Sequence, residues 1–558
     1  MCLMSKRADQ VVPQGSSKVV CSGVLGFLAL AMLAGCSESN PEPESPGTRP
    51  LMSLVTAEQY RNSLSYIFGP GVDLQVEFAP VARTDGLLAN SAAIAGVGSS
   101  QLQGIQGVAA SVASQVLDTR HRNYLVPCKP ESLDGPDDAC ASRFLSQVGR
   151  LLFRRALTDD ELAMHVKQAG SAAEQLEDFY AGLEIALEGM LISPEGLFVV
   201  ERAEPDPDNP GQLRLDAYSL ASRLSYFLWN SAPDNELLAA AESGELQADG
   251  GLERAVDRML ASPRLAEGMR AFLDDMFAFD EVKTLTKDST IYPEFTRVTA
   301  EDAREQTLRT SIEHLLANDG DYRDLFTTRS TVMSPALAVI YGVPAEPGWT
   351  PHTFPDDSPR SGLLTQVSFL SLHAHPGRSS VTLRGQALRE RFLCQEVPEP
   401  PPGIDFSVVS NPDANYPTQR QRVRAHLETP SCAGCHRITD PIGLSLEQFD
   451  GAGGFRLTEN GAVIDVSGGL DGFEFEGAVG LAQALRENPE LPRCLVQRVY
   501  SYGTGAPPAM QARSALDYFN QEFAAQGYRL RALLRTIALS NAFSRVQEES
   551  EITVASSH

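Results

Sequence analysis

Two cysteines and a histidine stand at Cys432-Ala433-Gly434-Cys435-His436. This is the CxxCH pattern that attaches a c-type haem. Two thiols three residues apart on one helical turn can reach the two haem vinyl groups and form thioethers. The adjacent His436 then offers its imidazole to the iron as the proximal ligand. Three rival chemistries use a CxxC pair. A thioredoxin-like site needs a strand before it and a helix after it, and Pro430 and the Asp440-Pro441 break argue against that. A zinc site needs a second ligand pair at close spacing, and the sequence holds no other C-x₂₋₄-C or H-x₃₋₅-H pair. A disulfide between the two cysteines leaves His436 without a role.

The iron's sixth ligand has several candidates. His375 and His373 stand in His-Ala-His-Pro, Met510 in GTGAPPAMQ, and His426 ten residues before His436. An iron left open favours ligand binding or peroxide chemistry over simple electron transfer. Haem propionates are anionic and need donors. Arg378 and Arg384, in GRSSVTLRG, are the candidates, with ordinary surface or capping contacts as the alternative. Asp440 and Asp465 read as supporting or turn residues.

Haem c attachment occurs outside the inner membrane, and the N-terminus supplies an export pattern. Lys6, Arg7 and Lys18 precede the apolar run Val19–Leu33, which ends in Leu33-Ala34-Gly35-Cys36. This is a signal segment with a small-residue cleavage site. It resembles a bacterial lipoprotein signal, which implies lipid on Cys36. A short membrane anchor is the rival, but the run falls short of the ~20 residues that span a bilayer. Residues 1–35 are thus expected as signal and 36–53, rich in Pro, Ser and Glu, as a flexible tether. Ser37 after the cysteine favours the outer membrane, facing the periplasm or the cell surface.

Nine cysteines occur, and export places those after Cys36 in an oxidising compartment. Cys128 and Cys140 flank a polar loop and are expected to close it. Cys394 and Cys494 then remain, although four cysteines allow three connectivities.

The 558 residues give a prior of three or four domains. Apolar residues at 42% and charged residues at 21% describe an ordinary globular chain. The net charge of −26 disfavours phosphate-backbone binding, so nucleic acid is not an expected partner. Charge is segregated near the motif: residues 360–426 hold eight Arg against five acids, and 431–490 three Arg against ten acids. Such an acidic rim can steer a basic partner, or can be a solvated face. There is no GxSxG, HExxH or P-loop.

Apolar spacing predicts a mostly helical protein. Helices are expected over 56–68, 141–156 (with Phe144, Leu145, Val148, Leu151 and Leu152 on one face) and 178–193. Thr158 to Glu161 is a capping box, and Asp216 can cap a helix bearing Leu220, Leu224, Phe227 and Leu228. Tyr226 and Trp229 on that helix read as core. Ser231–Asp234 opens a further helix, and patterns continue through 251–278, 301–317, 418–428 and 491–545. Residues 82–120 are too rich in Gly, Ala and Ser to assign. The proline-rich 343–360 reads as a linker, and the Gly-rich 452–477 as a small β-hairpin. The expected fold is mainly α: a multi-helical N-terminal region, then a cytochrome c-like helical domain with a β-hairpin insertion.

Several stretches resemble exported c-type-haem proteins of planctomycetes and myxobacteria. The matching residues are AEQYRNSLSYIFG (57–69), RLLFRRALTDDEL (150–162) and DAYSLASRLSYFLWNSAPDNELL (216–238). RSGLLTQVSFLSLHAHPGRSSVTLRG (360–385), CAGCHRITDPIGLSLEQFDGAGGFR (432–456) and RCLVQRVYSYGTG (493–505) continue the likeness. The resemblance implies the domains of unknown function 1587 over 54–139, 1595 over 140–205, 1592 over 210–342, 1588 over 358–458 and 1585 over 470–545. Many relatives carry Met at the position of Thr439. The resemblance implies one covalent haem c and a cell-envelope location. Two functions follow as expectations. One is electron exchange with a partner redox protein. The other is binding or processing of envelope polysaccharide, with the haem auxiliary.

Overall fold

Helix starts in the N-terminal region are written in single side chains. The computed structural model describes residues 41–75, 78, 82–398, 416–427 and 430–547; Cys36 and the signal segment lie outside them. Thr56 caps helix Ala57–Phe68, with Gln59 completing a capping box. Asp137 caps Asp138–Leu152, and Thr158 with Glu161 forms the expected box at the start of Asp159–Leu176. Asp178 caps Phe179–Leu191, and Pro194 then opens a short turn as its first residue. Phe144, Leu145, Val148 and Leu152 are buried, while Leu151 is only partly so. The unassigned stretch contains a 19-residue helix, Ser99–Leu117. Its interior face is built from Ile105, Ala109, Val112, Ala113 and Val116, too small in part to announce itself by periodicity.

These helices enclose a first core, with Leu64, Phe144, Phe179 and Leu187 fully or nearly buried. A second, larger core runs from Leu215 to Val546 and takes in Leu87. Helix Ala217–Trp229 joins the two: Asp216 caps it, and every residue from Ser219 to Trp229 is buried. Tyr226 packs into the first core, and Leu220, Leu224, Phe227 and Trp229 into the second. The Trp229 indole donates to the Met259 carbonyl at 3.1 Å, so both rings are core residues as expected.

The second core is also mainly helical, through Asn235–Glu242, Gly251–Ala261, Arg264–Met276, Arg297–Ile312, Val381–Phe392, Pro430–Leu444, Gly477–Glu487, Glu490–Thr504, Arg513–Ala525 and Leu530–Ala538. All named sheets are small and antiparallel. Within 343–360, Thr350–Thr353 pairs with Ser330–Met333, and buried Leu337, Ile340 and Leu363 keep the core continuous across it. The Gly-rich segment holds two hairpins, Thr458–Glu459 with Ala462–Val463 and Ser467–Leu470 with Phe473–Glu476.

Residues 42–53, the end of the expected tether, are fastened down together with Leu54. Met52–Leu54 pairs with Phe198–Val200, and Thr48 bridges Val546. Glu42 accepts from the Ala542 amide and the Asn541 side chain at the start of a C-terminal turn. Residues 42–50 carry no large apolar side chain, so backbone bonds and one capping carboxylate hold them, while Leu54 adds a buried contact in the first core. Both expected disulfides are present, Cys128–Cys140 and Cys394–Cys494. No helix among the described residues is long and apolar enough to cross a membrane.

Candidate functional site

Cys432, Cys435 and His436 lie in the first turns of helix Pro430–Leu444. At positions i, i+3 and i+4 they share one face. Both cysteines are partly exposed and stand outside the two disulfides. The Cys435 thiol reaches the Pro398 carbonyl at 3.6 Å. The helix continues through Pro441 to Leu444, so the break expected at Asp440-Pro441 is absent. Proline there removes one amide donor without ending the helix, because a neighbouring helix braces it.

That neighbour is Val381–Phe392. A Cβ on Gly385 would lie 2.0 Å from the Thr439 carbonyl oxygen, and one on Gly443 1.9 Å from the Val381 carbonyl oxygen. The two backbones therefore touch, and only glycine permits it at both points. Arg389 adds a donor from its Nε to the Ile438 carbonyl at 2.6 Å.

His436 has Nδ1 engaged by Asp440 Oδ2 at 2.8 Å, four residues on. The Asp440 side chain is only 2% exposed. With Nδ1 engaged, Nε2 is the nitrogen that would bond a metal. His436 and Asp440 form part of the wall of a cavity of about 910 Å³. That size is within the ~300–1,000 Å³ that ligands and cofactors occupy. Its other walls are helix Gln419–Leu427 and the hairpin Ser467–Glu476, with Phe473 exposed at the rim. Arg389, Arg420, Arg424 and Arg437 face it. Arg389 pairs with Asp471 and Arg420 with Asp465. Arg424 and Arg437 are exposed and have no ion-pair partner among the described residues.

The other residues singled out in the sequence lie elsewhere. Arg384 is fully buried, and its guanidinium donates to the carbonyls of Leu370, Leu446, Phe449 and Asp450. It is a clamp between chain segments and does not line the cavity. Arg378 sits on the turn that bridges His375 and is likewise outside the lining. His375 is half-buried; its carbonyl accepts from Lys287, and burial, then Arg378 and Lys287, lowers its pKa. His373 packs against Phe369 with ring centroids 4.9 Å apart. Burial pushes it down to about 3, with the charges of Arg391, Arg384 and Lys287 adding to the effect. Met510 is 93% exposed. None of these three lines the cavity beside His436. The side chain of His426 lies outside the described residues. Asp465 is a turn residue, accepting from the Ser467 amide and hydroxyl. Among the described residues, no group of three or more His, Cys, Asp or Glu is arranged to hold a metal ion.

Sequence reasoning missed the pairing of Asp440 with His436 and the arginines of the cavity. The i, i+4 spacing carried the first signal, and Pro441 concealed it by suggesting a break.

The fold and site thus define a mainly helical protein whose CxxCH helix borders a large, arginine-edged cavity. Its segments match families described as Protein of unknown function: DUF1595 over residues 140–201, DUF1592 over 215–343, DUF1588 over 360–459 and DUF1585 over 471–543. The chain carries these four domains in series, and the CxxCH lies in the DUF1588 domain. Residues 54–139, expected to resemble domain 1587, fall outside these four matches. Neither a curated protein nor a solved structure matches the chain.

Proposed function

We propose that the chain is a lipid-anchored, c-type cytochrome-like protein of the cell envelope. It exchanges electrons with a partner redox protein through one covalent haem. The observation that carries this reading is the CxxCH on one helical face, with His436 in the wall of a cofactor-sized cavity and its Nδ1 held by a buried carboxylate. The residue types suit the group: His436 lines the cavity, and Cys432 and Cys435 stand just before it on the same helix face, outside the lining. Cys432 and Cys435 would attach it, and His436 would ligate it through Nε2. Arg424 and Arg437, rather than Arg378 and Arg384, are placed to neutralise its propionates. Haem c supplies a reversible one-electron couple when bound. Asp440 holds the Nδ1 proton and so fixes the tautomer of His436. Val423, Leu427, Leu444 and Phe473 give the cavity an apolar part against which a bound group can pack. Cys36 as the lipid site, and an outer-membrane location, belong to the same proposal.

The test is a reduced-minus-oxidised spectrum of the mature protein, co-expressed with haem c maturation machinery, with and without CO. A covalent c-type spectrum that disappears in Cys432→Ala/Cys435→Ala supports the reading. Absence of covalent haem in the native chain overturns it.

A second reading, envelope polysaccharide binding or processing with an auxiliary haem, draws on another cavity. About 300 Å³ in volume, it is lined by Glu58, Asp274, Asp275 and Asp280 near the meeting of the two cores. Burial raises the pKa of Glu58 and of Asp275, while Arg304 pairs with Asp274. Carboxyls in unlike environments can divide acid and base roles. Glycan turnover that survives loss of the two motif cysteines would favour this reading.

A further inference from the structure

The geometry points to Asp440 as a positioning residue that sets the donor strength of His436, with Thr382 holding Asp440 from the neighbouring helix. The inference rests on the haem reading above.

A carboxylate buried to this degree needs hydrogen-bond partners. The two Asp440 oxygens divide the work. Oδ2 engages His436 Nδ1 at 2.8 Å. Oδ1 accepts from the Thr382 hydroxyl at 2.9 Å and lies 3.2 Å from the Thr439 hydroxyl. Thr382 belongs to the first turn of helix Val381–Phe392, and its place is set by the backbone contact at Gly385 and Gly443. The carboxylate is thus held from two helices, and its aim at His436 does not depend on a mobile surface side chain.

A second His–Asp pair in the molecule sharpens the point. His121 Nδ1 meets Asp118 Oδ1 at 2.9 Å, but that carboxylate is 38% exposed. The same oxygen also accepts from the Arg120 and His121 amides. There the carboxylate holds a turn. Asp440 receives no backbone amide among the described residues, and its hydrogen bonds go to side chains only.

A carboxylate on Nδ1–H fixes the ring orientation and raises the basicity of the other nitrogen. A more basic axial nitrogen favours oxidised iron, and hydrogen bonding around an axial ligand is one of the protein's levers on potential. Asp440 therefore holds the site at a lower potential than a neutral partner would. Thr439 adds a hydroxyl on the Oδ1 side of the same carboxylate.

The experiment compares the native protein with Asp440→Asn, Asp440→Glu and Thr382→Val. Covalent haem is measured by the pyridine haemochrome, and the midpoint by spectroelectrochemical titration. At equal haem content, Asp440→Asn should shift the reduced-to-oxidised ratio at fixed potential about tenfold toward reduced, about 59 mV for a one-electron couple. Thr382→Val should shift it the same way by less, and Asp440→Glu should return it toward native. A native midpoint in both Asp440→Asn and Thr382→Val overturns the inference while leaving the haem reading intact. Should Asp440→Asn not accumulate, Thr382→Val decides alone: a positive shift supports the inference and a native midpoint overturns it. A native chain without covalent haem overturns both.

Discussion

Both cores use side-chain caps and buried arginines, but the weight differs. Asp216, Thr296 and Ser380 cap helices of the second, and Arg154 bonds the Glu195 and Phe198 carbonyls in the first. In the first, helices begin at side chains that bond within a few residues: Thr56 to Gln59, Asp137 to Cys140, Thr158 to Glu161. In the DUF1588 domain, buried arginines bond carbonyls far along the chain. Arg360 reaches the Gly453 carbonyl, and Arg384 joins Leu370 to Leu446, Phe449 and Asp450. The disulfides repeat the contrast. Cys128–Cys140 closes 12 residues inside the first core, whereas Cys394–Cys494 spans 100 and staples the segment before CxxCH to a helix after it. Local bonds start elements; long-range bonds place elements around a site. The candidate site sits in the region weighted toward the second kind.

The largest expected effect separates the regions outright. Cys432→Ala/Cys435→Ala should abolish covalent haem while the far-ultraviolet circular dichroism of the chain stays native. Loss of helix along with haem would mean that the motif also organises the fold.

Disulfide removal should scale with loop length. On the chain-entropy model the 100-residue bridge contributes about 4.7 kcal/mol and the short one about 3 kcal/mol. Cys394→Ala/Cys494→Ala should therefore lower the denaturant midpoint more than Cys128→Ala/Cys140→Ala. Equal losses would remove the distinction.

Arg384→Met removes donors from four buried carbonyls and one of the two cations beside the buried Glu447, which keeps Arg456 at 3.1 Å. A loss of about 3–5 kcal/mol is expected. Thr158→Ala removes a cap and should cost about 1 kcal/mol. Urea unfolding of both variants measures the contrast, and comparable losses would refute it.

The finest test is a pH profile. His373 titrates near 3 in the fold and near 6.5 when unfolded. Between those values the unfolded chain takes up a proton that the folded chain does not. This group's contribution to stability is present above about 6.5 and is lost as pH falls toward 3. His373→Gln should flatten the melting temperature over that interval; an unchanged slope would assign the loss to other groups.

The contrast between the cores is also a contrast in what could be read. Thr158 and Glu161 sit three residues apart, so their box was legible before any coordinates. Helix Ser99–Leu117 was not, because alanine, glycine and serine blur the apolar stripe. Arg384 was legible as a cation near the motif and was assigned to haem propionates. Its four carbonyl partners come from two separate stretches of chain, at Leu370 and at Leu446–Asp450, which no spacing rule reaches. Asp440 fell between these cases. Its distance from His436 was visible, but Pro441 suggested that no helix connected them.

By itself the sequence determined the CxxCH motif, the mainly helical class and the capped helix starts, since each is set by residues within one or two turns. The tertiary structure alone decided which arginines edge the cavity, which hydroxyl steadies Asp440 and where residues 42–54 lie. The first two turn on close backbone contacts at Gly385 and Gly443 between two helices distant in sequence, and the third on strand pairing with Phe198–Val200 and the bridge from Thr48 to Val546. Packing of that kind depends on the whole core and leaves no local signature.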